Sequence, residues 1–235
     1  TEQDDRLLIA SRPAVDAEKA RFEAALAQID AACDPQAPDV AVASRVRLLD
    51  AATRAAGAVF GPLEAGEELS RLSTRDLGRQ IATGVEALVP SGLGALIARH
   101  FASVPVRLSA PVTAIDWSGP GVRLATAAGE VSARGCIITA PTGVLAAGAI
   151  RFRPDLPVAM QEAIEALPMG LLNKAGFRLR PGALAAETAH VTQARADGRF
   201  GSLLIRPGGA AMFVAFAGGE QARALDAEGA AATLA

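Results

Sequence analysis

The chain has 235 residues, 51% of them hydrophobic and 20% charged, with a formal net charge of −2. That is globular material for one large domain or two small ones, too apolar and too near neutrality for a disordered chain. Its 23 Lys and Arg residues are scattered, so no basic run exists to neutralise nucleic-acid phosphates or to bind an anionic membrane surface.

The first third reads as helical. Phe22, Leu26, Ile29 and Cys33 recur at helical spacing and define one face, with Asp16 as the expected cap and Asp34-Pro35 as the stop. A second helix is expected from Ser44, burying Val46, Leu49 and the alanines up to Ala56, before Gly57 and Gly61-Pro62 break the chain. Ser73-Thr74-Arg75-Asp76 is a further helix entry. From Gly84 the pattern changes to an apolar run over 85–89, Pro90-Ser91-Gly92-Leu93-Gly94, and a helical stretch over 95–101. Strands follow over 106–117, 122–127 and 131–140, joined by Ser118-Gly119-Pro120-Gly121 and the hairpin turn Ala128-Gly129-Glu130. The last of them ends in an unbroken apolar run, Cys136-Ile137-Ile138-Thr139-Ala140, which suits a strand covered on both faces. Pro157 opens a helix over 157–167 with Val158, Ile164 and Leu167 as core positions. Strands over 171–179, 202–205 and 211–216 complete the pattern, separated at Pro181-Gly182 and Pro207-Gly208-Gly209, and a last helix runs from Glu220.

Cys33 and Cys136 sit among apolar residues and read as buried, reduced thiols. Together with an acidic start that is no signal peptide, and with no apolar stretch of about 20 residues, they point to a cytoplasmic protein. The first residue is not Met and the last seven stop inside a helical pattern, so the chain reads as an excised or trimmed piece. Two cysteines and two histidines, all far apart, give no metal-ligand spacing.

Gly92-Leu93-Gly94-Ala95-Leu96-Ile97 imitates a dinucleotide-binding turn, but Ile97 stands where a third glycine is needed, so a structural loop–helix junction is the better reading. No Gly-x-Ser-x-Gly elbow is present, and His100 and His190 have no acidic orienter nearby in sequence. Glu67-Glu68 and Glu162/Glu165 read as solvated helix faces. Lys174 differs from these. It interrupts the apolar strand Leu171-Leu172-Asn173-Lys174-Ala175-Gly176-Phe177, and either points to water or turns into a cleft, where burial would disfavour its charge.

Taken in order, Leu88-Val89-Pro90-Ser91-Gly92-Leu93-Gly94, Pro111-Val112-Thr113-Ala114-Ile115, Gly135-Cys136-Ile137-Ile138-Thr139-Ala140-Pro141, Ile150-Arg151-Phe152-Arg153-Pro154 and Leu167-Pro168-Met169-Gly170 with Asn173-Lys174 resemble the flavin-containing monoamine oxidase family over about residues 84–178. The resemblance implies a mixed α+β or α/β fold divided at 1–104, 105–150 and 151–235. The outer pieces would be the helices and the sheet of a substrate domain, and the middle piece the β-meander and strand of an FAD-binding domain. It implies that Val112 meets the adenine end of FAD, and that Thr139, Ala140 and Pro141 end a strand bordering the dinucleotide. Lys174 would hold a water against the flavin N5, where a cation favours negative charge on reduced flavin. The implied reaction oxidises a primary or secondary amine to an imine while O2 becomes H2O2. A homodimer is compatible with these residues.

The family's amino-terminal Gly-x-Gly-x-x-Gly and its aromatic cage are not in this sequence, which has no Tyr and one Trp, Trp117. These 235 residues alone are therefore expected to hold FAD weakly or not at all. Two other readings stand beside this one. The first is a non-catalytic module using the same cleft. The second is a desaturase or protoporphyrinogen-oxidase relative acting on carbon–carbon bonds.

Overall fold

The computed structural model describes residues 4–81, 84, 87–180, 182 and 188–229. They form two compact units, one of residues 1–92 with 170–235 and the other of residues 93–169. Among the described residues no helix is long and apolar enough to cross a membrane.

In the first unit, β1 (Asp4–Ile9) turns through Ala10 and Ser11 into the short β2 (Arg12–Pro13). Helix α1 (Asp16–Ala32) follows. Its cap is Val15 rather than Asp16, because Glu18 reaches back and accepts the Val15 backbone N–H at 2.9 Å. The expected face is the buried one: Ile29 is sealed, and Phe22, Leu26 and Cys33 are half-buried. Helix α2 (Ala51–Ala58) begins at Asp50, not Ser44, since the Asp50 carboxylate accepts the Thr53 N–H at 2.9 Å. Val46 is buried as expected, whereas Leu49, left in the loop before the cap, is 80% exposed.

The glycines expected to break this region do not. Gly57 lies inside α2, where a Cβ would come 2.4 Å from Leu48, and Gly61 lies in a π-helix, Val59–Ala65, that continues α2 without interruption. They serve close packing instead. Ser73 caps α3 (Thr74–Gly78) as expected, accepting from the Asp76 N–H.

The second unit opens with α4 (Leu93–His100). It then forms a four-stranded sheet from β3 (Val112–Asp116), β4 (Val122–Thr126), β5 (Gly129–Ala133) and β6 (Arg151–Arg153), in the order β5-β4-β3-β6 with β3 and β6 parallel. Helices α5 (Thr142–Ala146) and α6 (Val158–Ala166) pack on each other. These contacts, and the pairing of β6 with β3, tie 142–146 and 151–166 to the second unit.

The strand expected over 131–140 ends at Ala133, because β5 is a sheet edge and nothing described pairs with 134–140. Ile137 is 92% exposed in consequence, and Cys136 is exposed rather than buried. Val158 and Leu167 are likewise exposed, leaving Ile164 half-buried on α6. Ile115 is the one buried hydrophobic residue described in this unit.

The chain returns to the first unit with β7 (Leu172–Arg178), β8 (Ala189–Ala194), β9 (Phe200–Ile205), β10 (Met212–Gly218) and α7 (Gly219–Glu228). Pro181 of the expected turn, and residues 230–235 over which the last helix was expected to run on, lie outside the described residues. The sheet is six-stranded and mixed, in the order β2-β1-β8-β9-β10-β7, with β1 parallel to β8 and the other pairs antiparallel. Neither β1 nor β8 was anticipated from sequence. Side chains alternate between the two faces. One face carries Leu7, Ile9 and Ala194 into a core with Ala14, Ala52 and Ala55, backed by Phe22 and Phe200. A second core, Ile29, Val42, Val46 and Leu69, lies beneath α1 and the loops around it.

The π-helix is pressed hard against the sheet. A Cβ on Gly218 would overlap the Pro62 carbonyl oxygen, and one on Gly170 would come 2.5 Å from the Ala65 oxygen, so glycine is required at both positions. Across this seam Glu67 is buried and paired bidentately with Arg223 of α7, not solvated as its sequence suggested. The guanidinium holds the Glu67 carboxyl below its ordinary value.

Candidate active site

The sheet register decides which side chains share a face. Lys174 on β7 lies opposite Phe216 on β10, Phe216 opposite Ser202 on β9, Ser202 opposite Thr192 on β8, and Thr192 opposite Leu7 on β1. Residues paired in this way point the same way. Lys174 therefore stands on the face that α1 and α2 cover farther along, the one that builds the core. Its side chain is exposed at the sheet's outer strand, with Nζ 5.2 Å from the centroid of the Phe216 ring, a cation–π contact.

Beside this pair the sheet and the π-helix border an open cleft of about 390 Å³. Phe216, Leu204 and Ser202 form its floor, and Val59, Leu63 and Leu88 its apolar walls. Ala87, Glu64 and His190 complete the lining. The π-helix matters here because its wider turn brings Val59, Leu63 and Glu64 all to the cavity. His190 was set aside in the sequence for want of an acidic orienter. The fold supplies one in Asp5 of β1, whose Oδ1 is 3.6 Å from Nδ1, while Nε2 meets the Ser202 hydroxyl on β9. The sequence carried no signal of this grouping, since parallel pairing of β1 with β8 joins opposite ends of the chain.

The other expected site residues lie on the second unit. Val112 starts β3 and is half-buried. Thr139 and Pro141 are exposed and Ala140 half-buried, in the unpaired segment that leads into α5. Among the described residues no group of three or more His, Cys, Asp or Glu could hold a metal ion.

The sequence matches the model of the flavin containing amine oxidoreductase family over residues 15–231, and the chain belongs to that family. Polyamine oxidase 4 of Oryza sativa subsp. japonica is 38% identical over 95 residues, which are 40% of this chain and 20% of that protein. Lysine-specific histone demethylase 1B of Mus musculus is 33% identical over 92 residues, 39% of this chain and 11% of the demethylase.

Among solved structures, a cofactor-binding redesign of putrescine oxidase superposes with a TM-score of 0.68 at 16% identity, covering 95% of this chain and 59% of that one. Cyclohexylamine oxidase from Brevibacterium oxydans gives a TM-score of 0.62 at 17% identity, over 94% and 58%. The amine-oxidase fold, mixed α/β with two mixed sheets, is thereby shown. The chain spans about three-fifths of these folds, and its matched stretch a fifth or less of the curated relatives.

The family carries a flavin. The segment at 139–141 offers backbone without ladder partners and accessible side chains. A pyrophosphate also needs a glycine-rich turn opening a helix. Gly92 and Gly94 at α4 have open space around them, but Ile97 occupies the third position of that pattern.

Proposed function

We propose that these residues belong to a longer FAD-dependent oxidase that converts an amine to an imine and passes the electrons to O2. One observation carries this reading: Lys174 stands on the cavity face of its sheet, over the aromatic ring that forms part of the cavity floor. The flavin, when bound, supplies the two-electron acceptor. The apolar walls Val59, Leu63 and Leu88 would hold the carbon chain of the amine and keep bulk water from it. The Lys174 ammonium would hold a water, and later help to protonate reduced oxygen, beside the flavin. Val112, Thr139, Ala140 and Pro141 would line the dinucleotide. Loss of a hydride equivalent from carbon and a proton from nitrogen gives the imine, and water then releases the carbonyl compound and ammonia.

The demethylase relatives favour a second reading within the same chemistry, in which the amine is a lysine side chain of a polypeptide. One experiment addresses both. The intact flavoprotein is mixed without oxygen with primary alkylamines, polyamines and methylated-lysine peptides. Bleaching of the oxidised-flavin absorbance by an amine, with peroxide released on aeration, is the expected result. Bleaching by the peptide alone selects the second reading. No bleaching by any amine, with bleaching by a carbon–carbon substrate, overturns both.

A further inference from the structure

A second cavity of about 430 Å³, with Asp5, Lys19 and Phe22 in its lining, adjoins the first. Val59, Glu64 and His190 line both cavities. The His190 ring is held by the Ser202 hydroxyl on one neighbouring strand, and the Asp5 carboxylate lies 3.6 Å from it on the other. Ser202 is 4% exposed. Swinging the ring away would strip a buried hydroxyl of its partner, which makes the imidazole a fixed divider rather than a mobile gate.

We propose that His190 is a specificity-determining residue of the amine pocket, a partition that ends the first cavity and so sets the length of amine admitted. The proposal rests on the function given above. From Phe216, which carries Lys174, the apolar cavity runs along the sheet face as far as the imidazole. Its volume is at the low end for small-molecule sites. Val59, Leu63, Leu88, Leu204 and Phe216 give it a largely apolar lining, with Glu64 and Ser202 as polar groups beside them, so it suits a short alkyl or cycloalkyl amine. Removing the imidazole joins it to the second cavity and admits a longer chain. The charged groups that line that second cavity with the ring are Asp5, Arg6, Lys19, Glu23 and Glu64.

The test uses the intact flavoprotein and a series of linear primary amines from propylamine to dodecylamine, reading kcat/KM for anaerobic flavin reduction. Wild type is expected to peak at a short chain and fall for longer ones. In His190→Ala the peak moves to longer amines. Each additional buried methylene contributes roughly fourfold, so two more that find room give about a fifteenfold gain for the longer substrates. Such a gain cannot arise from misfolding. His190→Asn, which is shorter but keeps a polar side chain, is expected to move the peak part of the way and serves if the alanine variant does not fold. Superimposable chain-length profiles in wild type and either variant overturn the partition. Failure of every amine to bleach the wild-type flavin is a different outcome: it removes the proposed function, and the partition with it.

Discussion

Glu18 closes the start of α1 from two directions, accepting the Val15 N–H and a bidentate pair of bonds from Arg12 at 2.8 Å each. These donors favour the ionised carboxylate and lower its pKa to about 2 from the usual 4.5, the Arg12 bonds contributing most. A depressed folded-state pKa means that the stabilisation is complete above the unfolded value and disappears as pH falls through the folded one. Asp116 behaves alike, held at about 2 chiefly by Ser118 and then by Arg123. Melting temperatures of wild type and Glu18→Gln, compared from pH 6 to pH 2, should differ most above pH 4.5 and converge near pH 2. A gap that stays constant across this range would mean that the Glu18 charge adds nothing. Lys174 was legible as a residue out of keeping with its strand. His190 was not, because its meaning depends on Asp5 and Ser202, brought to it by strand pairings that no local pattern announces.

At the scale of elements, the helices with a wide apolar stripe were readable and the two strands β1 and β8 were not. Asp4–Ile9 offers only three apolar residues in a row, too short a run to separate strand from helix. The Gly57 and Gly61-Pro62 signals misled because the fold uses them for contact, placing Leu48 and the backbone at Glu67 where Cβ atoms would otherwise sit. Pro62 is accommodated within the π-helix. The seam between this helix and the sheet is fastened by the Glu67–Arg223 pair, which joins the end of the π-helix region to α7. Removing Arg223 leaves a buried carboxylate with only the Glu68 N–H and the more distant Arg71 to offset its charge. Arg223→Met should lower unfolding stability by about 2 kcal/mol, less than a fully buried pair because the arginine remains partly exposed. Adding Glu67→Gln should restore part of it, a coupling that chemical denaturation of the four variants measures. Independent, additive effects would show that the pair does not hold the seam.

Over the whole molecule the two units differ in how well they are filled. The first has two hydrophobic clusters beneath its helices. In the second, α4, α5 and α6 have no buried residue, and Leu93, Val106, Leu108, Ile137 and Val158 are exposed. That much uncovered apolar surface calls for a covering partner. The uncovered segment at 136–140 is the one whose apolar run predicted a strand sheltered on both faces. The pattern was read correctly as apolar, and what it lacks here is a neighbouring strand. About two-fifths of the solved folds this chain resembles lies outside the stretch it matches.

In the proposed oxidase Lys174 acts beside the flavin. Stopped-flow measurement of the two half-reactions in the intact protein, wild type against Lys174→Met, tests this most directly. Reoxidation of reduced flavin by O2 should slow by at least tenfold, because a positioned cation and its water are lost, while reduction by the amine changes within about threefold. Equal reoxidation rates in the two proteins would contradict the account.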